Sequence, residues 1–193
     1  MKRTFIAVKI IPNEKMRDIL SRFRNELAKE RIKWVDPGSM HITLCFMGDT
    51  REELIHPMKE EIKQAVSLFP PVKFIFKGCG IFRNIRDPRV IWIGLESDPG
   101  LAELKMHLDG ILEPFGFAPE KRDFKPHLTL GRIKGLTDAS ILEDLVREYS
   151  NIKVQEFETD RVIFYESILQ PEGPRYIPLL EAKLSGPAKK VFS

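Results

Sequence analysis

The chain writes one four-residue pattern twice. His41-Ile42-Thr43-Leu44 and His127-Leu128-Thr129-Leu130 each set a histidine two places before a threonine inside an apolar run. In an extended strand, residues i and i+2 point to the same face, so each histidine shares a face with its threonine while the aliphatic neighbours point away. Histidine has an ordinary pKa of about 6.5 and can give or take a proton near neutrality. Two imidazoles and two hydroxyls converging on one cleft suit a phosphodiester. One ring takes a proton from the nucleophile, the other protonates the leaving oxygen, and the hydroxyls hold nonbridging oxygens. A single motif of this kind reads as a half-buried histidine satisfied by hydrogen bonds. A pair in matching places of a duplicated chain points to chemistry. The residues alone do not say which histidine is acid and which is base.

Zinc is the rival use of two histidines. No carboxylate or thiolate stands at ligand spacing beside either strand, although strict alternation would put Cys45 on the face of His41. Metal-free acid–base chemistry is therefore the expectation.

Strands are predicted at 4–10, 41–46, 73–77, 89–95, 127–133, 152–157, 160–169 and 176–184, from apolar runs rich in β-branched and aromatic residues. Four amphipathic helices alternate with them. Their stripes are Met16 to Leu27, Leu54 to Phe69, Leu101 to Ile111 and Ile141 to Tyr149. Thr50 and Glu53 fit a capping box for the second helix. Asp98 fits the N-cap of the third, with Pro99 as its first residue. Trp92 is expected in the core of its strand.

The two motif histidines stand 86 residues apart, and the same offset carries Phe5 onto Ile91 and the helix near 14–27 onto the one near 100–113. The order strand, helix, motif strand, helix, strand occurs twice, over about 4–82 and 90–168. Residues 1–193 are expected to form a single two-lobed domain with pseudo-twofold symmetry, the lobes facing each other across a cleft. The tail "GPAKKVFS" is expected to fray.

Composition bounds the partners. The chain is 42% hydrophobic and 31% charged, as ordinary for a soluble globular protein, and its net charge of +3 permits a polyanion without demanding one. Cys45 and Cys79 lie in apolar runs without ligand spacing and read as reduced core residues. The N-terminal apolar stretch is interrupted by Lys9 and stopped by Pro12, unlike a signal peptide, and no window approaches a membrane span. A monomer in the cytoplasm, off the membrane, is the expectation. Arg83, Arg86 and Arg89, with Lys121, Arg122 and Lys125, could frame a cleft for an RNA backbone or form solvated loops. His56 and His107 stand outside the motif and read as surface residues.

Over nearly its whole length the chain resembles the RNA 2',3'-cyclic phosphodiesterases, also known as 2'-5' RNA ligases, of the two-histidine phosphoesterase superfamily. The resemblance rests on "RTFIAVKI", "HITLCFMGD", "GCGIFRNIRDPRVIWIGL" and "FKPHLTLGR". It implies a two-lobed α+β fold, with two antiparallel sheets lining a cleft and helices on the outer faces. It implies hydrolysis of RNA 2',3'-cyclic phosphate ends, tRNA halves among them, to 2'-phosphates, with no metal and no nucleotide cofactor. His41 would protonate the departing O3' and His127 would activate water, with Thr43 and Thr129 holding phosphate oxygens. Joining to a 5'-hydroxyl as a 2'-5' linkage would use the same groups. Arg132 matches a phosphate-clamping arginine and Phe46 a base-stacking aromatic. Strict alternation, however, places both on the face opposite their histidines, unless the strands end or bulge at Gly131 and near Gly48. Two alternatives keep other outcomes open: a phosphodiesterase for small cyclic nucleotides or 2'-5' oligoadenylates, and an idle RNA- or nucleotide-binding module.

Overall fold

The computed structural model describes residues 1–97, 99–120, 123–171 and 173–187. Asp98, Lys121, Arg122 and residues 188–193 of the tail lie outside the described residues. Nine strands and four α-helices are seen among those described: β1 (Lys2–Lys9), α1 (Glu14–Glu26), β2 (Arg31–Trp34), β3 (His41–Thr50), α2 (Glu52–Ser67), β4 (Val72–Phe82), β5 (Val90–Ser97), α3 (Pro99–Leu112), β6 (His127–Gly135), α4 (Ser140–Glu148), β7 (Lys153–Thr159), β8 (Arg161–Ile168) and β9 (Arg175–Lys183). Every predicted strand and helix is present. The strand missed by the sequence is β2, whose four residues alternate exposed and half-buried and are too few to show a period.

Local chemistry explains the boundaries. Asn13 caps α1 by accepting the Met16 N–H at 2.9 Å, and the buried stripe Met16, Ile19, Leu20 and Phe23 turns inward. The capping box expected at Thr50 does not form. β3 runs on to Thr50, whose buried hydroxyl meets that of Thr4 at 2.7 Å, and Arg51 takes the cap position without a side-chain bond. Gly186 is tied rather than frayed, its N–H donating to the Phe69 carbonyl at 2.9 Å.

Two antiparallel sheets result. One runs β3-β1-β8-β9 and the other β2-β6-β5-β4-β7. Helices α2 and α3 pack together behind the first sheet, against β9 and β3; α1 and α4 pack together behind the second, against β7 and β4. One core joins these layers, with Phe23, Phe76 and Phe164 among its largest fully buried side chains. The other faces of the sheets line a cleft, and β3 of one sheet meets β6 of the other at its base.

The repeated elements are exchanged between the sheets. β4, the last strand of the first copy, pairs with β5 of the second copy, while β8, the last of the second copy, pairs with β1 of the first. The helices cross over likewise, α1 lying with α4 and α2 with α3. Each sheet thus draws on both halves of the chain. No helix among the described residues is long and apolar enough to cross a membrane.

Candidate active site

Two bulges resolve the parity conflict of the sequence. In β3, Thr43 pairs with Ala7 and Cys45 with Ile6, so Leu44 is the extra residue; in β6, Thr129 pairs with Trp92 and Gly131 with Ile91, so Leu130 is extra. Two successive residues then point into the core, Leu44 with Cys45 and Leu130 with Gly131. Alternation resumes one residue out of phase. Phe46 therefore shares the cleft face with His41 and Thr43, and Arg132 shares it with His127 and Thr129. The bulges that restore the parity fall on the leucines that end the two motifs, not at Gly131; β3 has a further bulge beside Gly48, where Met47 is the extra residue, but it lies beyond Phe46. Phe46 and Arg132, each five residues after its histidine, hold equivalent positions in the two copies.

The same register corrects three other expectations. Cys45 leaves the face of His41 and sits in the core, its thiol donating to Asp109 Oδ1 at 3.4 Å. Burial pushes the Cys45 thiol up, and pushes that of Cys79 up to about 12, so neither is a ready thiolate. Phe5 stands opposite Phe46 as Val90 stands opposite Arg132, so Phe5 corresponds to Val90 rather than to Ile91. A one-residue slip of that kind exchanges core and cleft faces. Trp92 lines the cleft beside Thr129 rather than the core.

The two imidazoles are held alike. His41 Nδ1 lies 2.8 Å from the Ser39 carbonyl and His127 Nδ1 lies 2.9 Å from the Lys125 carbonyl, in each case two residues back. A carbonyl only accepts, so Nδ1 carries the hydrogen and Nε2 is left for the cleft. Burial holds both rings below their ordinary pKa, and the positive charge of Arg132 lowers both further, against the opposing carbonyl bonds. The charge of His127 also lowers His41. One guanidinium thus acts on the rings of both β3 and β6. Of the sequence-chosen set, His41, His127, Thr43, Thr129, Arg132 and Phe46 all lie on this cleft.

Aromatic side chains complete the walls. His41 packs on Phe5 at 5.1 Å and edge-on to Tyr176 at 5.0 Å, with Tyr165 stacked behind Phe5. His127 meets the Phe82 ring edge-on at 4.5 Å. Phe46 is 49% exposed, with the Arg3 guanidinium 5.0 Å from its ring centre. Sequence reasoning missed Phe5, Phe82, Tyr165 and Tyr176: Phe82 and Tyr165 lie on the exchanged strands β4 and β8, Tyr176 on β9 beyond β8, and Phe5 on β1 beside β3.

Trp92 lies flat over Gly80, where an added Cβ would come within 2.3 Å of the ring. Gly80→Ala should therefore cost about 1–3 kcal/mol. A thermal melt matching wild type would mean that the indole yields freely.

The remaining candidates stand apart. His56 and His107 are exposed on α2 and α3. Arg83 and Arg89 both pair with Asp87 within the β4–β5 loop. Among the described residues, no three His, Cys, Asp or Glu side chains gather as metal ligands.

Known proteins share this architecture. The family described as LigT like Phosphoesterase matches the chain twice, over residues 9–92 and 93–176. The RNA 2',3'-cyclic phosphodiesterase of Methanothermobacter thermautotrophicus is 35% identical over 176 residues, covering 90% of this chain and 94% of that protein. The one from Thermotoga maritima is 35% identical over 188 residues, covering 95% and 96%. Among solved structures, TT0787 of Thermus thermophilus superposes with a TM-score of 0.77 at 26% identity over 95% of this chain and 98% of that one. Escherichia coli LigT complexed with 3'-AMP gives 0.73 at 22% identity over the same shares and speaks for the fold alone. The exchanged sheets, the paired motifs and these matches agree: the chain belongs to the LigT-like phosphoesterase family.

Proposed function

We propose that this protein hydrolyses the 2',3'-cyclic phosphate ends of RNA to terminal 2'-phosphates, using its own side chains and no metal or nucleotide cofactor. One observation carries the reading: two imidazoles on β3 and β6, each donating Nδ1–H to a backbone carbonyl, turn Nε2 toward one cleft that also holds Arg132. The RNA substrate is supported by the activity named for the relatives at 35% identity.

In the proposed reaction, neutral His127 Nε2 takes a proton from water as the water oxygen attacks phosphorus. The P–O3' bond breaks, and protonated His41 gives its Nε2 proton to O3'. Thr43 and Thr129 bind nonbridging oxygens by their hydroxyls, and Arg132 stabilises the charge that gathers on them. A 5'-hydroxyl in place of water would leave a 2'-5' linkage. The test is product analysis with EDTA present, on a 2',3'-cyclic mononucleotide and on an oligonucleotide bearing the same end. A 2'-phosphate is expected from both. Activity abolished by the chelator would restore a metal mechanism, and no turnover of either would leave a binding module.

The pH profile carries a sign. The active form holds one proton on the pair, and both rings sit below their ordinary pKa in the free protein. The bell of kcat/KM, which reports the free enzyme, should therefore centre on the acid side of 6.5. A bound phosphodiester anion favours imidazolium and raises both limbs, so the kcat profile should centre at higher pH. Coincident profiles, or a flat response from pH 5 to 9, would count against two titrating imidazoles.

A further inference from the structure

The edge strand β2 brings an unassigned cation to the cleft. Lys33 of β2 stands directly opposite Arg132 of β6, and such partners share one face of a sheet. Its neighbours Ile32 and Trp34 pack on the core side, against Gly131, which leaves Lys33 exposed on the cleft side. The hairpin between β8 and β9 of the other sheet reaches this point. A Cβ built on Gly173 would lie 3.7 Å from Lys33 Cε and 3.8 Å from Nζ. Lys33 thus sits where the two walls meet, beside the guanidinium that acts on both histidines.

Two like charges opposite one another in a sheet are unfavourable unless something offsets them. Elsewhere in this sheet the protein supplies the offset: Lys73 stands opposite Glu158 and pairs with it, and Lys77 pairs with Glu96 at 2.7 Å. Among the described residues, the side chains of Arg132 and Lys33 have no hydrogen bond or ion pair. A lysine on an edge strand can serve to block pairing with other chains. Arg31 of the same short strand already supplies an exposed charge for that, so it does not account for a cation opposite Arg132 on the cleft face.

We infer that Lys33 holds a second phosphate, the internucleotide phosphate on the 5' side of the cyclic end, while Arg132 serves the reacting one. The inference rests on the cyclic phosphodiesterase reading and adds a preference to it: the cleft takes an oligonucleotide end over a free cyclic nucleotide. A polynucleotide places a negative charge at each linkage, and neutralising one more of them adds affinity that salt weakens.

The experiment compares wild type with Lys33→Gln on 2',3'-cyclic AMP and on a trinucleotide ending in the same cyclic phosphate. A third substrate carries a neutral methylphosphonate at the last linkage. Wild type should favour the trinucleotide over the mononucleotide. Lys33→Gln should lower the ratio of their kcat/KM values about tenfold, mostly through KM. The methylphosphonate should lower the wild-type ratio similarly and leave the variant indifferent. The salt slope on the trinucleotide should become shallower by about 0.7 in the variant. An unchanged ratio, with both substrates still turned over, overturns the Lys33 assignment alone. Failure of wild type to turn over either substrate overturns the cyclic phosphodiesterase reading, and the inference with it.

Discussion

Alanine at His41, or at His127, is expected to lower kcat by roughly 10²–10⁴-fold, the usual worth of one positioned acid or base. Alanine at His56 or His107 should stay within about twofold, since both rings are exposed on helices behind the sheet. The paired substitution should be little worse than either alone, because in the proposed reaction the two rings act in one step. The roles separate in the residual pH profiles. Loss of the base removes the acid limb, and loss of the acid removes the alkaline limb. His127→Ala should therefore lose its dependence at low pH and His41→Ala at high pH. The reverse pattern would exchange the proposed roles, and equal losses at all four histidines would remove the site from this cleft.

Arg132→Gln is the second large effect, with two separable readouts. Removing a donor aimed at developing oxyanion charge costs about 10²–10³-fold in kcat. The guanidinium also lowers the pKa of both His41 and His127. Its loss should therefore move both limbs of the kcat/KM profile to higher pH. Lys at this position should restore the pH profile better than the rate, since it returns the charge without the planar fork. A variant slowed at every pH, with limbs unmoved, would mean that Arg132 serves only the substrate. Limbs that move while the rate holds would assign it to the histidines alone.

Period and spacing made much of this legible. Alternation of apolar residues located eight strands, and the stripe Met16, Ile19, Leu20 and Phe23 located α1, because burial on one face leaves its mark in the order of residues. The cleft position of Arg132 was not legible, because a bulge has no period. Leu130 is a core leucine whether or not it is the extra residue of the ladder. The same holds for Trp92, whose apolar ring suits either face until Gly80 is seen to make room beneath it. Tyr176 was out of reach for another reason. It meets His41 through two intervening strands, one of them supplied by the second repeat.

The exchange of β4 and β8 also decides how the gap between the imidazoles can vary. The backbone is stitched back and forth between the two leaves, at the β1–α1, α2–β4 and β7–β8 junctions among others. A molecule sewn at several seams has no lone pivot on which to swing open. The spacing between the imidazoles is therefore set when the chain folds. A half-length fragment would leave β1 without its β8 partner and β4 without its β5 partner.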